Sequence, residues 1–438
     1  MKATAITQVT AWEALDSRGN PTVSCEVRLS SGAHGSATVP SGASTGAHEA
    51  VELRDGGDRY AGLGVRTAVR NVNEVLGRAV AGLDASEQEV IDEVLVSADG
   101  TANLERLGAN AVLALSVASA VAAANAKGHP LYMHVASGEG PLLPMPMVNI
   151  ISGGAHAGGA VDVQDVLAVP VGASSFEEAI EWAWRVRRAT AQVAAERGLN
   201  SVLVADEGGL GPPMSSNRAA LELLLEGIER SGLVAGDQVA IAIDVAASQL
   251  TSNGGYRLGS EHRTLDALTL IEEIEVWCKE FPIVSIEDPL SEEDWAGWST
   301  ATRRFGESLQ LVGDDLFATN LERLERGIKT GVANAILVKP NQNGTLSGAR
   351  RVLERARDAG YATVLSARSG ETEDAWLADL AVGWRAGQIK VGSLTRSERT
   401  AKWNRLLRIE KELGNRASFA GSGVLQGQSS NDSGEKRS

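Results

Sequence analysis

A repeat constrains this chain more than any other feature. From about residue 140 onward, short apolar runs alternate with amphipathic helical stretches. "VLAVPVGA" precedes "SSFEEAIEWAWRVRRATAQVAAERG", and "QVAIAIDVAAS" precedes "LDALTLIEEIEVWCKEF". "IVSIEDPL", "LQLVGDDLFATN", "NAILVKPNQNGT", "ATVLSARSGETED" and "QIKVGSLTRSER" are each followed by a helical stretch in the same way. Strand-length apolar runs separated by helices dictate βα units, and a run this long predicts a parallel α/β barrel.

Ahead of the repeat the pattern differs. "PTVSCEVRLSSGAHGSATVPSG" alternates apolar and polar residues and breaks at Ser31-Gly32, as strands with turns do. "VRTAVRNVNEVLGRAVAGL" and "EQEVIDEVLVSA" carry apolar residues at helical spacing. We therefore expect an N-terminal α+β capping and lid domain over residues 1–138. A TIM-like βα barrel should follow over 139–425. The polar tail 426–438, "QGQSSNDSGEKRS", is expected to be disordered.

Composition removes several function classes. The 41 basic and 56 acidic side chains leave a net charge of −15. That excludes nucleic acid as the main partner, because there is no basic excess to displace counterions. Two distant cysteines, Cys25 and Cys278, argue against a disulfide scaffold and for a cytoplasmic setting. The N-terminus has no apolar signal-peptide core. "ANAVLALSVASAVAAANAKG" approaches the roughly twenty residues a membrane span needs. It is mostly Ala, with Asn110, Ser116, Ser119 and Asn125, so we expect a tightly packed helix and no membrane partner.

In a βα barrel the chemistry lies at the C-terminal strand ends. Read in order, those ends supply Glu207, Asp244, Glu287, Asp314, Lys339, Arg368-Ser369 and Lys390. Any one taken alone reads better as a helix cap, an ion-pair partner or a solvated charge. Together they converge on one mouth, and the carboxylates suit a hard divalent cation such as Mg²⁺.

The stretches "LDSRGNPTV", "PSGASTGAHEA", "GGAHAGG", "DEGG", "SIEDPL", "VGDDL", "SARSGETED", "GQIK" and "TRSER" stand in an order and spacing that resemble the enolase (phosphopyruvate hydratase) family over nearly the whole chain. The resemblance implies that Asp244, Glu287 and Asp314 hold a first Mg²⁺. Ser44, in the lid loop "SGASTG" with Gly42 and Gly46 as hinges, would ligate a second that arrives with substrate. Lys339 would be the base that removes the proton α to a carboxylate, with its pKa lowered by Mg²⁺ and by Lys390. Lys390 would face the substrate carboxylate, and Glu207 would be the acid for the departing hydroxyl. Arg368 and Ser369 would cradle the phosphoryl group. His156 would reach the same group from a second lid, and Gln164 would contact substrate. The implied assembly is a homodimer or homo-octamer.

The chain departs from the family pattern at Ala367, where His is usual, and at Asp165, where Glu is usual. Pro340 follows the base, and Ser152 stands where Asn is usual. Ala367 and Asp165 both shrink a side chain at the phosphoryl and leaving-group end, while the metal and lysine set is intact. These departures favour a diverged paralogue acting on a small phosphorylated or phosphonylated carboxylate. The candidate is the enolase-like carboxyphosphonoenolpyruvate synthase of phosphonate antibiotic biosynthesis. The alternatives are ordinary phosphopyruvate hydratase and a non-catalytic enolase-like binding protein.

Overall fold

The computed structural model describes residues 2–42, 46–136, 138–252 and 254–425. Ser44 and the tail 426–438 lie outside the described residues, so neither expectation is placed.

The N-terminal unit opens with an antiparallel sheet of β1 (Ile6–Leu15), β2 (Pro21–Leu29) and β3 (His34–Thr38). Helices follow, including Gln88–Asp99 and Ala109–Ala126. The second of these is the one described helix long and apolar enough to cross a membrane. Most of it is buried inside the unit, in line with its small side chains. They let β3 approach the helix closely: a Cβ on Gly35 would stand 2.2 Å from the Ala122 backbone nitrogen.

Eight strands then close a barrel: β4 (Met145–Ser152), β5 (Asp165–Val169), β6 (Ala240–Asp244), β7 (Ile283–Glu287), β8 (Gln310–Gly313), β9 (Ala335–Val338), β10 (Ala362–Ser366) and β11 (Gln388–Gly392). β11 pairs with β4 to complete the ring. The expected all-parallel barrel needs one correction, because β5 runs antiparallel to both β4 and β6. Apolar runs read the same in either direction, so the sequence pattern could not show this.

Side chains alternate between the two faces of a strand. Ala240 and Ala242, Val312, Ala335 and Leu337, and Ala362 and Val364 form an apolar cluster inside the ring. Two residues further along each strand, the same face presents Asp244, Asp314, Lys339 and Ser366. Glu287 follows Ser285, and Lys390 follows Gln388, by the same rule. β5 obeys it in reverse: Leu167 and Val169 lie in the cluster and Asp165 stands at the mouth, in register with Asp244.

The N-terminal unit docks on this mouth through backbone. Ser41 and Gly370 exchange N–H···O bonds of 2.8 and 2.9 Å. The Thr38 amide donates to Asp374 at 2.6 Å. A Cβ on Gly370 would meet Asp16, Arg18 and the Ser41 carbonyl at 2.5–2.6 Å, so the junction requires glycine.

Candidate active site

Three groups of side chains meet at the barrel mouth. In the first, the Lys390 ammonium donates to Asp244 Oδ2 at 2.7 Å and to Glu287 Oε1 and Oε2 at 2.9 and 2.8 Å. All three residues are buried. Burial alone would depress the Lys390 pKa, but Asp244 and Glu287 outweigh it and hold the amine well above its usual range. Burial, then the Asp244 charge, pushes Glu287 well above the usual carboxylate range. Gln164 joins the group by donating to Asp244 Oδ2 at 3.0 Å, and its own oxygen accepts from Gln249 at 2.8 Å.

In the second group, Lys339 donates to Asp314. Gln342 donates to the other Asp314 oxygen at 3.3 Å, and Thr319 accepts the Lys339 amide at 2.9 Å. Asp314 also packs with Asp288 and Asp315, with carboxylate oxygens of all three within 4.8 Å of one another. Asp288 accepts the Asp314 and Asp315 amides at 3.0 and 2.7 Å and so fixes this turn. Without a cation at the site, the Lys339 pKa is shifted upward. Burial lowers it, but the touching Asp314 carboxylate outweighs burial and raises it.

The third group is His156, Asp165 and Glu207, also with ligand atoms within 4.8 Å of one another. His156 Nδ1 lies 3.2 Å from Asp165, and Nε2 lies 3.9 Å from Glu207. Asp165 also accepts from Asn149. Burial opposes a charged imidazole, but Asp165 and Glu207 outweigh it and lift His156 to about 9. Burial raises Asp165, against the pull of His156. Burial would raise Glu207 too, but His156 and Arg399 bring it below its usual value. Such a cluster titrates as a unit. The directions favour the proton on His156, beside Glu207, to which the resemblance gives the acid role.

Glu207 also needs a correction of place. "SVLVADEGG" is not a barrel strand; it is a loop between helices Phe176–Glu196 and Asn217–Arg230. The Ser393 amide donates to the Glu207 carbonyl at 2.8 Å and ties that loop to the end of β11.

Arg368 and Ser369 follow β10 and are buried at the same mouth, with Ala367 beside them. Arg368 forks onto Glu49 of the N-terminal unit, Nη1 to Oε2 at 3.0 Å and Nη2 to Oε1 at 3.3 Å, and also reaches Asn341 at 3.0 Å. Sequence reasoning missed Glu49, Asn341, Gln342 and Asp288. Only the "IEDPL" acidic pair hinted at the last. The cavity lined by His156, Gln164, Glu207, Lys339, Ala367 and Arg368 measures about 30 Å³.

The donor chemistry suits a hard divalent cation, but the three carboxylates stand in two groups, Asp244 and Glu287 on Lys390 and Asp314 with Asp288 and Asp315. Asp244, Glu287 and Asp314 offer buried carboxylate oxygens, the ligands Mg²⁺ prefers. Asp244 and Glu287 already grip one cationic group, the Lys390 ammonium.

Compared with known protein families, residues 6–135 match "Enolase, N-terminal domain" and residues 141–428 match "Enolase, C-terminal TIM barrel domain".

Proposed function

The chain belongs to the enolase family, and from that premise we propose that it is a Mg²⁺-dependent enzyme that removes the proton α to a carboxylate of a phosphorylated three-carbon acid and forms an enolpyruvate product. One observation carries this reading. Lys339 directly follows β9 and Asp165 begins β5, four strands apart in a ring of eight, so the base and the proton-holding cluster face each other across one cavity. An elimination that takes a proton from one face and protonates a leaving hydroxyl on the other needs this disposition.

Asp244, Glu287 and Asp314 would hold the Mg²⁺, which when bound supplies positive charge against the second negative charge that proton loss places on the carboxylate. Lys339 Nζ receives the α-proton. Its nearness to the Arg368 cation favours the neutral amine once the Asp314 charge is engaged elsewhere. His156, charged between Asp165 and Glu207, delivers a proton to the departing oxygen. Arg368 and Ser369 bind the anionic end, where a guanidinium fork matches phosphoryl oxygens. Lys390 orients the substrate carboxylate.

The anionic end supports a narrower reading. Ala367 puts only a methyl group in the cavity wall beside Arg368. Asp165 is the shorter carboxylate in the proton-holding cluster. Both are short side chains at the end where a phosphorus that carries an extra carboxylate, as in carboxyphosphonoenolpyruvate, would bind. Ordinary phosphopyruvate hydratase is the second reading, favoured by the convergence of both lysines and all three carboxylates on one mouth. Exposed Trp12, Leu15, Trp184, Val202 and Leu203 offer apolar surface for a homo-oligomer.

The deciding experiment supplies 2-phosphoglycerate and Mg²⁺ and follows phosphoenolpyruvate absorbance. Turnover of roughly 1–10³ s⁻¹ selects phosphopyruvate hydratase. No turnover, with α-proton exchange into deuterated water, selects the remodelled substrate. Neither signal returns the chain to a binding role.

A further inference from the structure

We propose that Glu49 is a specificity-determining residue: its carboxylate is an internal competitor for the Arg368 seat, and only an anionic group of higher charge than a carboxylate, such as a phosphoryl or phosphonyl group, displaces it. The inference rests on the assignment of Arg368 to the anionic end of the substrate in the reading above.

The Glu49–Arg368 fork has the geometry a ligand anion would adopt there. Both side chains are almost wholly buried, at 6% and 4% exposure. Glu49 is also held firmly. The Gly46 amide donates to its Oε1 at 2.9 Å, and Gln342 donates to the same oxygen at 3.3 Å. Gln342 in turn reaches Asp314, so the competitor is wired to the base side of the site.

Geometry sets up the competition. Glu49 takes both terminal nitrogens of Arg368, so a ligand anion that forks onto this guanidinium must displace it. A carboxylate ligand would exchange one carboxylate for another and leave Glu49 buried without its partner, which is strongly unfavourable. A phosphoryl group brings a charge of about −1.5 to −2 and three acceptor oxygens. It therefore offers the guanidinium more than it loses.

The test is calorimetric titration of the full chain with inorganic phosphate. The Glu49→Gln variant should bind phosphate about tenfold tighter than wild type, a shift of about 1.4 kcal/mol. Acetate should compete with phosphate only in that variant. The gain should vanish in the Glu49→Gln/Arg368→Gln double variant. Equal or weaker phosphate binding by Glu49→Gln overturns the proposal, as does a gain that survives loss of Arg368 or a failure of both proteins to bind phosphate. Should Glu49→Gln not fold by circular dichroism, Glu49→Asp decides. It keeps the charge but shortens the reach, so partial tightening supports the proposal and unchanged affinity overturns it. α-Proton exchange is read separately. Its absence, with the phosphate effect intact, sinks the proposed reaction and leaves the competitor standing.

Discussion

Lys390 lies 2.7 Å from Asp244 and bridges it to Glu287, so one ammonium separates two buried carboxylates that would otherwise repel each other. Removing one partner of a buried ion pair costs about 3–5 kcal/mol. Lys390→Met should therefore lower thermal stability sharply in metal-free buffer. Millimolar Mg²⁺ should restore much of the loss, because the freed carboxylates then share a cation of another kind. Melting curves with and without Mg²⁺ check this. A loss that Mg²⁺ leaves untouched would mean that Asp244 and Glu287 do not form a metal site.

His156 makes stability depend on pH. Its pKa rises from 6.5 to about 9 on folding, mainly because Asp165 and Glu207 overcome burial. A raised folded pKa stabilises the protein fully below the unfolded value, and the contribution is lost as pH climbs through the folded one. Wild-type melting temperature should fall between pH 6.5 and 9, and His156→Gln should flatten that slope. Parallel slopes for the two proteins would sink the assignment of the proton to His156.

Ala367 tests the remodelled end. Ala367→His places an imidazole beside Arg368 in the cavity. If the small residue adapts the site to a bulkier anion, this variant should raise 2-phosphoglycerate turnover at least about tenfold. The same absorbance assay reads it. Unchanged or reduced turnover would make Ala367 a neutral feature of the wall.

Gly35 tests the packing of the N-terminal unit. A methyl group there runs into the backbone of the Ala109–Ala126 helix. Gly35→Ala should cost about 1–3 kcal/mol and shift the urea midpoint downward. A stability equal to wild type would show that β3 moves off the helix freely.

The barrel and its functional strand ends were legible because, from β6 onward, short apolar runs alternate with helical stretches. The direction of β5 was not, since hydrophobicity carries no polarity along a strand. "SVLVADEGG" misled for a related reason. Its β-branched run looks like a strand, yet Val202 and Leu203 are 86% and 70% exposed, and the ring already closes with eight others. Side-chain assignments at the mouth followed from motif order. The charge states did not. Whether Lys339 is neutral or Glu207 protonated depends on which carboxylate or imidazole touches it, and that is set by pairings between distant segments. Glu49 was invisible on the same grounds, because its partner Arg368 lies 319 residues away.

The junction of Ser41 with Gly370 bears on modularity. The chain matches its family as two stretches, yet the Arg368 turn of the barrel is completed by backbone and carboxylate groups from the first stretch. A barrel produced alone would lose the Glu49 contact to Arg368 and the backbone pairing at Gly370. If Arg368 seats the anionic end of the substrate as proposed, the two stretches form one unit of specificity, and exchanging N-terminal segments between relatives should transplant ligand preference along with the cap.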